Sequence, residues 1–293
     1  MRRIFIAIVF LMTFATPAFA GMNVVATLPW VGSLAREIGK DKINVTVLVK
    51  PNQDAHTIDA KPSMILAARK ADIIMYDGLD LEIGYLPLII ESSRNPKLMP
   101  GKPGNFDCSQ FITVLEKPTA VDRSMGDVHP LGNPHYHYSP SNVLRIAEGM
   151  SRLFADADKA NADFYRANEK AFAERVREKE KEWRSLPLRG KKYIAYHKYF
   201  EYLAHEFGFT IAGYMEPKPG IPPSATHIEE LIETMKTAKP EAILVTPAYG
   251  MQEAEFLSSK TKVKVVVLPH DVGSLPGTDD LISFWDKVAA SLK

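Results

Sequence analysis

The side chains in this sequence that could do chemistry are its histidines, eight in 293 residues, and the acids beside them. His56 closes the run Pro51-Asn52-Gln53-Asp54-Ala55-His56. His135 and His137 lie in Gly132-Asn133-Pro134-His135-Tyr136-His137-Tyr138-Ser139-Pro140. His197 follows Tyr193-Ile194-Ala195-Tyr196, and His270-Asp271 follows Val265-Val266-Val267-Leu268-Pro269. Neutral imidazole is a borderline donor and a carboxylate a harder, charge-compensating one, so three of the first with one of the second suit Zn²⁺. Cys108 is the sole cysteine. A thiolate cluster and an intramolecular disulfide are therefore both excluded, any metal site must be built from histidine and carboxylate, and Cys108 itself is expected to be buried.

Ligands of this kind need rigid supports. Pro134 restricts Asn133 to extended or turn geometry and Pro140 suits the first turn of a following helix, so His135 is expected on an ordered loop before a helix. The other candidates share one kind of address. Met22 to Leu28, Ile43 to Val49 and Ala71 to Tyr76 read as strands, with helices after the first and second that start near Trp30 and Pro62. Lys192 to Tyr196, Phe209 to Tyr214, Glu241 to Thr246 and Lys264 to Leu268 read as strands of a second set. Strands alternating with helices predict parallel sheets covered by helices, whose ligands sit beyond the carboxyl ends of the strands. His56, His197 and either His270 or Asp271 follow such ends.

Between the two sets, Pro96 to Pro118 is rich in Pro, Gly, Asn and Lys and reads as an irregular stretch around a short strand at Phe111 to Leu115. Val143, Ile146, Ala147, Met150, Leu153 and Phe154 then mark one apolar helix face, and a second helix is expected from about Asp158 to Leu186 without internal Gly or Pro. At roughly 1.5 Å per residue the latter spans about 40 Å. It reads either as a rigid connector between two α/β halves or as an ordinary surface helix of the second half. His227 stands at a helix start ahead of Glu229 and Glu230 and is read as such, not as a ligand.

The first twenty residues have a basic start (Arg2, Arg3), an apolar run from Ile4 to Phe14 and the small-residue ending Ala18-Phe19-Ala20, the pattern of a cleaved secretory signal peptide. The apolar run is shorter than the roughly 20 residues that cross a bilayer. The 36 basic residues, two of them in this leader, balance 35 acidic ones, so nothing in the charge points to nucleic acid or an anionic membrane. A secreted zinc hydrolase is the rival from another class, because His197, Glu201 and His205 recur at four-residue spacing. The His-Glu-x-x-His signature is absent, however, and Glu201 and His205 are expected to be ordinary helix-surface residues.

Taken together, Pro51 to His56 with Pro62-Ser63, Gly132 to Pro140, Tyr196-His197-Lys198-Tyr199-Phe200-Glu201-Tyr202 with Phe207-Gly208-Phe209, and Leu268-Pro269-His270-Asp271 resemble the solute-binding proteins of metal-importing ABC transporters, the zinc and manganese binders of the cluster A-I type. The similarity covers essentially all of the chain after the leader. It implies an α/β fold of two lobes, each a mainly parallel sheet flanked by helices, joined by one long rigid helix: a signal peptide over 1–20, an N-terminal lobe over 21–157, a linking helix over 158–186 and a C-terminal lobe over 187–293. It implies metal binding by His56, His135, His197 and Asp271, with His137, His270 and His129 as alternatives where the chain departs from the family pattern. Manganese and iron binders of the family tend to carry a carboxylate where His197 stands, so the resemblance favours Zn²⁺ over Mn²⁺. It implies a periplasmic monomer that hands its ion to the permease of an ABC importer and catalyses nothing. The alternatives are a manganese-, iron- or copper-binding homologue and a periplasmic metal chaperone or adhesin of the same fold.

Overall fold

The computed structural model describes residues 21–119 and 129–293. The leader over 1–20 lies outside the described residues, among which no helix is long and apolar enough to cross a membrane. Strands β1 (Met22–Ala26), β2 (Ile43–Val47), β3 (Ile73–Tyr76) and β4 (Asn105–Asp107) form a parallel sheet in the order β2-β1-β3-β4. Strands β5 (Lys192–Ala195), β6 (Thr210–Tyr214), β7 (Ala242–Val245) and β8 (Val265–Val267) form a second parallel sheet in the order β6-β5-β7-β8. Each lobe thus repeats one winding, in which strand order reverses beside the first strand. In parallel sheets that reversal opens a crevice at the carboxyl ends.

Helices α1 (Pro29–Gly39), α2 (Pro62–Lys70) and α3 (Leu86–Ser93) belong to the first lobe, and α6 (Glu201–Phe207), α7 (Ala225–Ala238) and α8 (Met251–Thr261) to the second. Between them run α4 (Pro140–Ala157) and α5 (Ala162–Arg184), and the chain closes with α9 (Leu281–Ser291). At 23 residues α5 is about 34 Å long. It is pinned to both lobes: Asn168 Nδ2 donates to the Ile38 carbonyl at the end of α1 (2.9 Å), and Arg184 Nη2 meets Glu206 of α6 (2.9 Å). Trp183 Nε1 adds a bond to Asp286 of α9 at 2.9 Å. A helix held along its length in this way is a strut between lobes.

The lobes also share a core. Trp30, Tyr136, Tyr138, Phe200 and Phe284 are buried in one continuous apolar cluster, while a smaller cluster of Ile194, Ile243, Val245, Leu231 and Leu257 fills the space under α7 and α8. Polar ties cross the seam as well. The Tyr202 hydroxyl donates to the Asn133 carbonyl (2.9 Å) and accepts from the Leu115 N–H (3.0 Å), Tyr138 donates to the Pro269 carbonyl (2.7 Å), and Trp285 Nε1 of α9 donates to the His137 carbonyl (3.1 Å). Burying each large aromatic contributes roughly 2–3 kcal/mol. The lobes are therefore fixed against wide swinging.

Two expectations are corrected. The strand expected at Phe111 to Leu115 does not form. The place beside β3 is filled by β4, with Met75 opposite Phe106, and the Leu115 N–H is taken by a side chain of the other lobe. Glu201, expected on the helix surface, is largely buried. It accepts from the Tyr214 hydroxyl (2.5 Å) and Asn133 Nδ2 (3.3 Å), and burial raises its carboxyl pKa to about 7. His205 is exposed, as expected. Cys108 is buried.

Candidate metal centre

Histidines from both lobes meet where the strand ends face each other. His56 rides a short 3-10 turn, Ala55–Thr57, after β2, whose cap is Asp54. Asp54 Oδ1 accepts from the His56 backbone N–H (3.0 Å) and pairs with His56 Nδ1 (2.6 Å). His197 lies just beyond β5, and its Nδ1 pairs with Glu216 Oε2 at 2.6 Å. In both rings the carboxylate holds the Nδ1 proton, so Nε2 presents its lone pair to the cleft. This is the arrangement by which metal-binding histidines are oriented and made more basic. The His135 backbone N–H is fixed by Asn133 Oδ1 (2.9 Å), as the bracketing prolines led one to expect of an ordered loop. Its Nε2 faces His197 Nε2 at 3.3 Å. His129, at the far side, brings Nε2 to 3.0 Å from His56 Nε2.

Donor atoms of His56, His129 and His135 all lie within 4.8 Å of one another. A cleft of about 340 Å³ opens onto His129, His135 and His197 past Glu116, Lys198 and Pro219. Burial, and then the neighbouring imidazoles, drive the pKa of His135 far below the ordinary histidine range and that of His129 down to about 3. Asp54 moves the other way for an acid in a crowded place: burial opposes its ionisation, but the hydrogen bonds and charge of His56 win and hold its carboxyl below the usual value. A larger cavity of about 1320 Å³ lies at the opposite end of the first sheet, along Lys42, Asp72 and Asp158. It holds no histidine and is not the site.

The remaining sequence candidates are placed differently. His137 is a core residue: its ring stacks on Trp30 (5.9 Å, 14° between planes), Nε2 donates to the His270 carbonyl (2.9 Å), and burial lowers its pKa to about 3. His270 is buried, and burial lowers its pKa too. Asp271 is buried, and Oδ1 accepts from the Val272 N–H (2.6 Å) while the Trp30 N–H also bonds the carboxyl. Trp30 is in the first turn of α1, whose own cap position, Leu28, offers no side-chain acceptor. Asp271 fills that need from the other lobe. Burial nevertheless pushes its carboxyl pKa well up. His227 is tied to the Tyr214 carbonyl (2.9 Å) at the start of α7.

The residue that the sequence left unnoticed is Glu216. It stands two residues past β6, the same kind of strand-end address that marked His197. Removing the orienting carboxylate by Glu216→Ala or Asp54→Ala is expected to weaken metal binding about 10–100-fold without unfolding the protein, read by competition against a chelating dye.

Two lobes of identical winding, a strut between them, and imidazoles converging on the seam from both sides define a two-lobed solute-binding protein. Residues 24–293 match the family described as zinc-uptake complex component A, periplasmic, and the chain belongs to that family, the metal-binding components of ABC importers. Members of this family act outside the cytoplasm and are not enzymes. Among curated relatives, the iron-binding protein YfeA of Yersinia pestis is 26% identical over 73% of this chain and 67% of its own length. The manganese ABC transporter substrate-binding lipoprotein PsaA of Streptococcus anginosus is 22% identical over 83% of this chain and 78% of its own. Among solved structures, the crystal structure of ZnuA superposes with a TM-score of 0.75 at 24% identity, covering 93% of this chain and all of that one.

Proposed function

We propose that the protein, freed of its leader in the periplasm, captures Zn²⁺ as a monomer and delivers it to the permease of an ABC importer. The observation that carries the reading is the donor set: His56, His135 and His197 offer three neutral nitrogens, two of them oriented by carboxylates. Relatives named for iron and manganese make the choice of metal a question for these residues alone. Nitrogen donors favour zinc over those harder ions. The family's members carry metal as cargo, and a fourth donor from the protein would close the coordination and leave no metal-bound water to be activated.

Protons compete with the metal for the same nitrogens, so affinity falls as pH falls. At pH 6 an imidazole of ordinary pKa is about three-quarters protonated, and three of them would release about 2.3 protons on taking up one ion. Burial drives the His135 pKa well below the ordinary histidine range, so this ligand releases fewer protons than an ordinary imidazole would. Calorimetry at pH 6 in buffers of different ionisation enthalpy is expected to give fewer protons per zinc than that figure of about 2.3. Titration of metal-free protein with Zn²⁺, Mn²⁺, Fe²⁺ and Cu²⁺, beside the His56→Ala, His135→Ala and His197→Ala variants, tests the function. Undiminished zinc binding in all three variants would sink it.

A further inference from the structure

We propose that Glu201 is a positioning residue for the metal centre: together with Glu116 it holds Asn133, and through Asn133 it holds His135, and its ionisation loosens that hold. This rests on the reading of His135 and His197 as metal ligands. Asn133 is the joint, a buried residue with every polar group engaged. Its Oδ1 accepts from the His135 N–H (2.9 Å), its backbone N–H donates to the Leu115 carbonyl (2.9 Å), and its backbone carbonyl accepts from Tyr202 (2.9 Å). Its Nδ2 faces the Lys198 carbonyl (2.8 Å), Glu116 Oε2 (3.0 Å) and Glu201 Oε2 (3.3 Å). The His135 N–H can only donate, which fixes Oδ1 beside it and leaves Nδ2 toward the acids. One side chain thus bonds the backbone of His135 and the backbone next to His197.

An amide nitrogen carries two protons, and here it meets three acceptors. Glu201 Oε2 is the most distant of them and is the one left short. Glu116 and Glu201 reach the same amide from opposite lobes. Facing them are Lys198, whose Nζ pairs with Glu116 Oε1 (2.6 Å), Tyr214, whose hydroxyl donates to Glu201 Oε1 (2.5 Å), and Tyr202, whose hydroxyl is spent on the backbone of Asn133 and Leu115. Glu116 keeps a φ of 54°, a region costly for a residue with a side chain, so the surrounding structure holds it there. Burial raises the Glu201 pKa to about 7 over the opposing bond from Tyr214, and Glu116 adds to the rise while Lys198 offsets it. Neutral Glu201 leaves the lobes joined at Asn133, whereas its anion sets two carboxylates against each other across the boundary. Protons competing for the imidazoles weaken binding as pH falls, and neutral Glu201 tightens the centre over the same range. Affinity then varies less with pH than the imidazoles alone dictate.

The test is the rate at which protein loaded with one equivalent of Zn²⁺ gives it up to excess chelator, followed by stopped flow across neutral pH in the wild type, Glu201→Gln and Glu116→Gln, with thermal melts of the metal-free proteins alongside. The glutamine at 201 stays neutral, and its oxygen can accept from Asn133 while its nitrogen donates to the Tyr214 hydroxyl. The ratio of the wild-type rate to the Glu201→Gln rate is expected to rise about fivefold as pH climbs through neutrality. Glu116→Gln removes the opposing carboxylate and is expected to shrink that rise. The melts carry the same sign: a carboxyl whose pKa is raised on folding contributes stability that is complete below its unfolded value of 4.5 and lost as pH rises to about 7, so the wild type loses melting temperature relative to Glu201→Gln over that interval. A rate ratio that is flat with pH, which a mere packing role for Glu201 would give, or a rise that survives Glu116→Gln in full, would overturn the proposal. His135→Ala separates the two levels: if it keeps zinc at wild-type affinity, the underlying reading of the site fails. If it loses zinc while the rate ratio stays flat, only the role of Glu201 is wrong.

Discussion

His197→Ala is expected to lower zinc affinity by about a hundredfold or more while leaving the fold intact. Structural zinc sites bind with roughly 10–16 kcal/mol, so one of four ligands accounts for about 3 kcal/mol, and each 1.4 kcal/mol is tenfold. The loss at His197 should be among the largest of any single ligand, because its removal also strands Glu216, buried at 2.6 Å from the missing ring. A buried carboxylate without its partner is costly. Competition against a chelator of known affinity reads the change. Far-UV circular dichroism of the metal-free variant should match the wild type, since His197 lies beyond the end of β5 and outside every helix and strand.

Trp30→Ala is expected to reduce stability by about 4 kcal/mol, which for a chain of this size is roughly a 10 °C fall in melting temperature. Trp30 is fully buried, packed edge-on to Tyr136 (5.8 Å) and stacked on His137, and its indole N–H donates to Asp77 Oδ1 at 3.1 Å. Truncation opens a cavity at the seam between the lobes. It also removes a partner from Asp77, whose other oxygen already has none and whose carboxyl pKa is raised by burial and by Glu82. Trp30→Phe separates the two causes: it keeps most of the packing and loses only the hydrogen bond, a cost of about 1–3 kcal/mol. Thermal melts of the two metal-free variants against the wild type give both numbers.

Much of this architecture could be read from local pattern. β-branched runs alternating with amphipathic helices have few solutions other than parallel sheets, and a histidine directly after such a run must stand at a carboxyl end. That logic placed His56 and His197, and the two prolines placed His135. The same logic is silent on remote partners. Asp271 stands past a strand end like the others, and no local signal announces that its carboxyl also accepts from the first turn of α1, which Leu28 leaves uncapped. Phe111 to Leu115 has a strand's composition, but its side chains have other uses. Phe111 packs where Gly149 has no Cβ, and Val114 lies against Gly132, whose φ of 118° only glycine adopts freely. Glu216 escaped notice because a glutamate past a strand carries no motif until the ring it orients is known.

The most direct test of the account is a competitive titration: metal-free protein given one equivalent of Zn²⁺ and then excess Mn²⁺ or Fe²⁺, with bound metal measured after desalting. The account predicts one zinc per chain, retained against either competitor. Displacement of zinc by manganese or iron, or zinc that does not saturate at one equivalent, would contradict it.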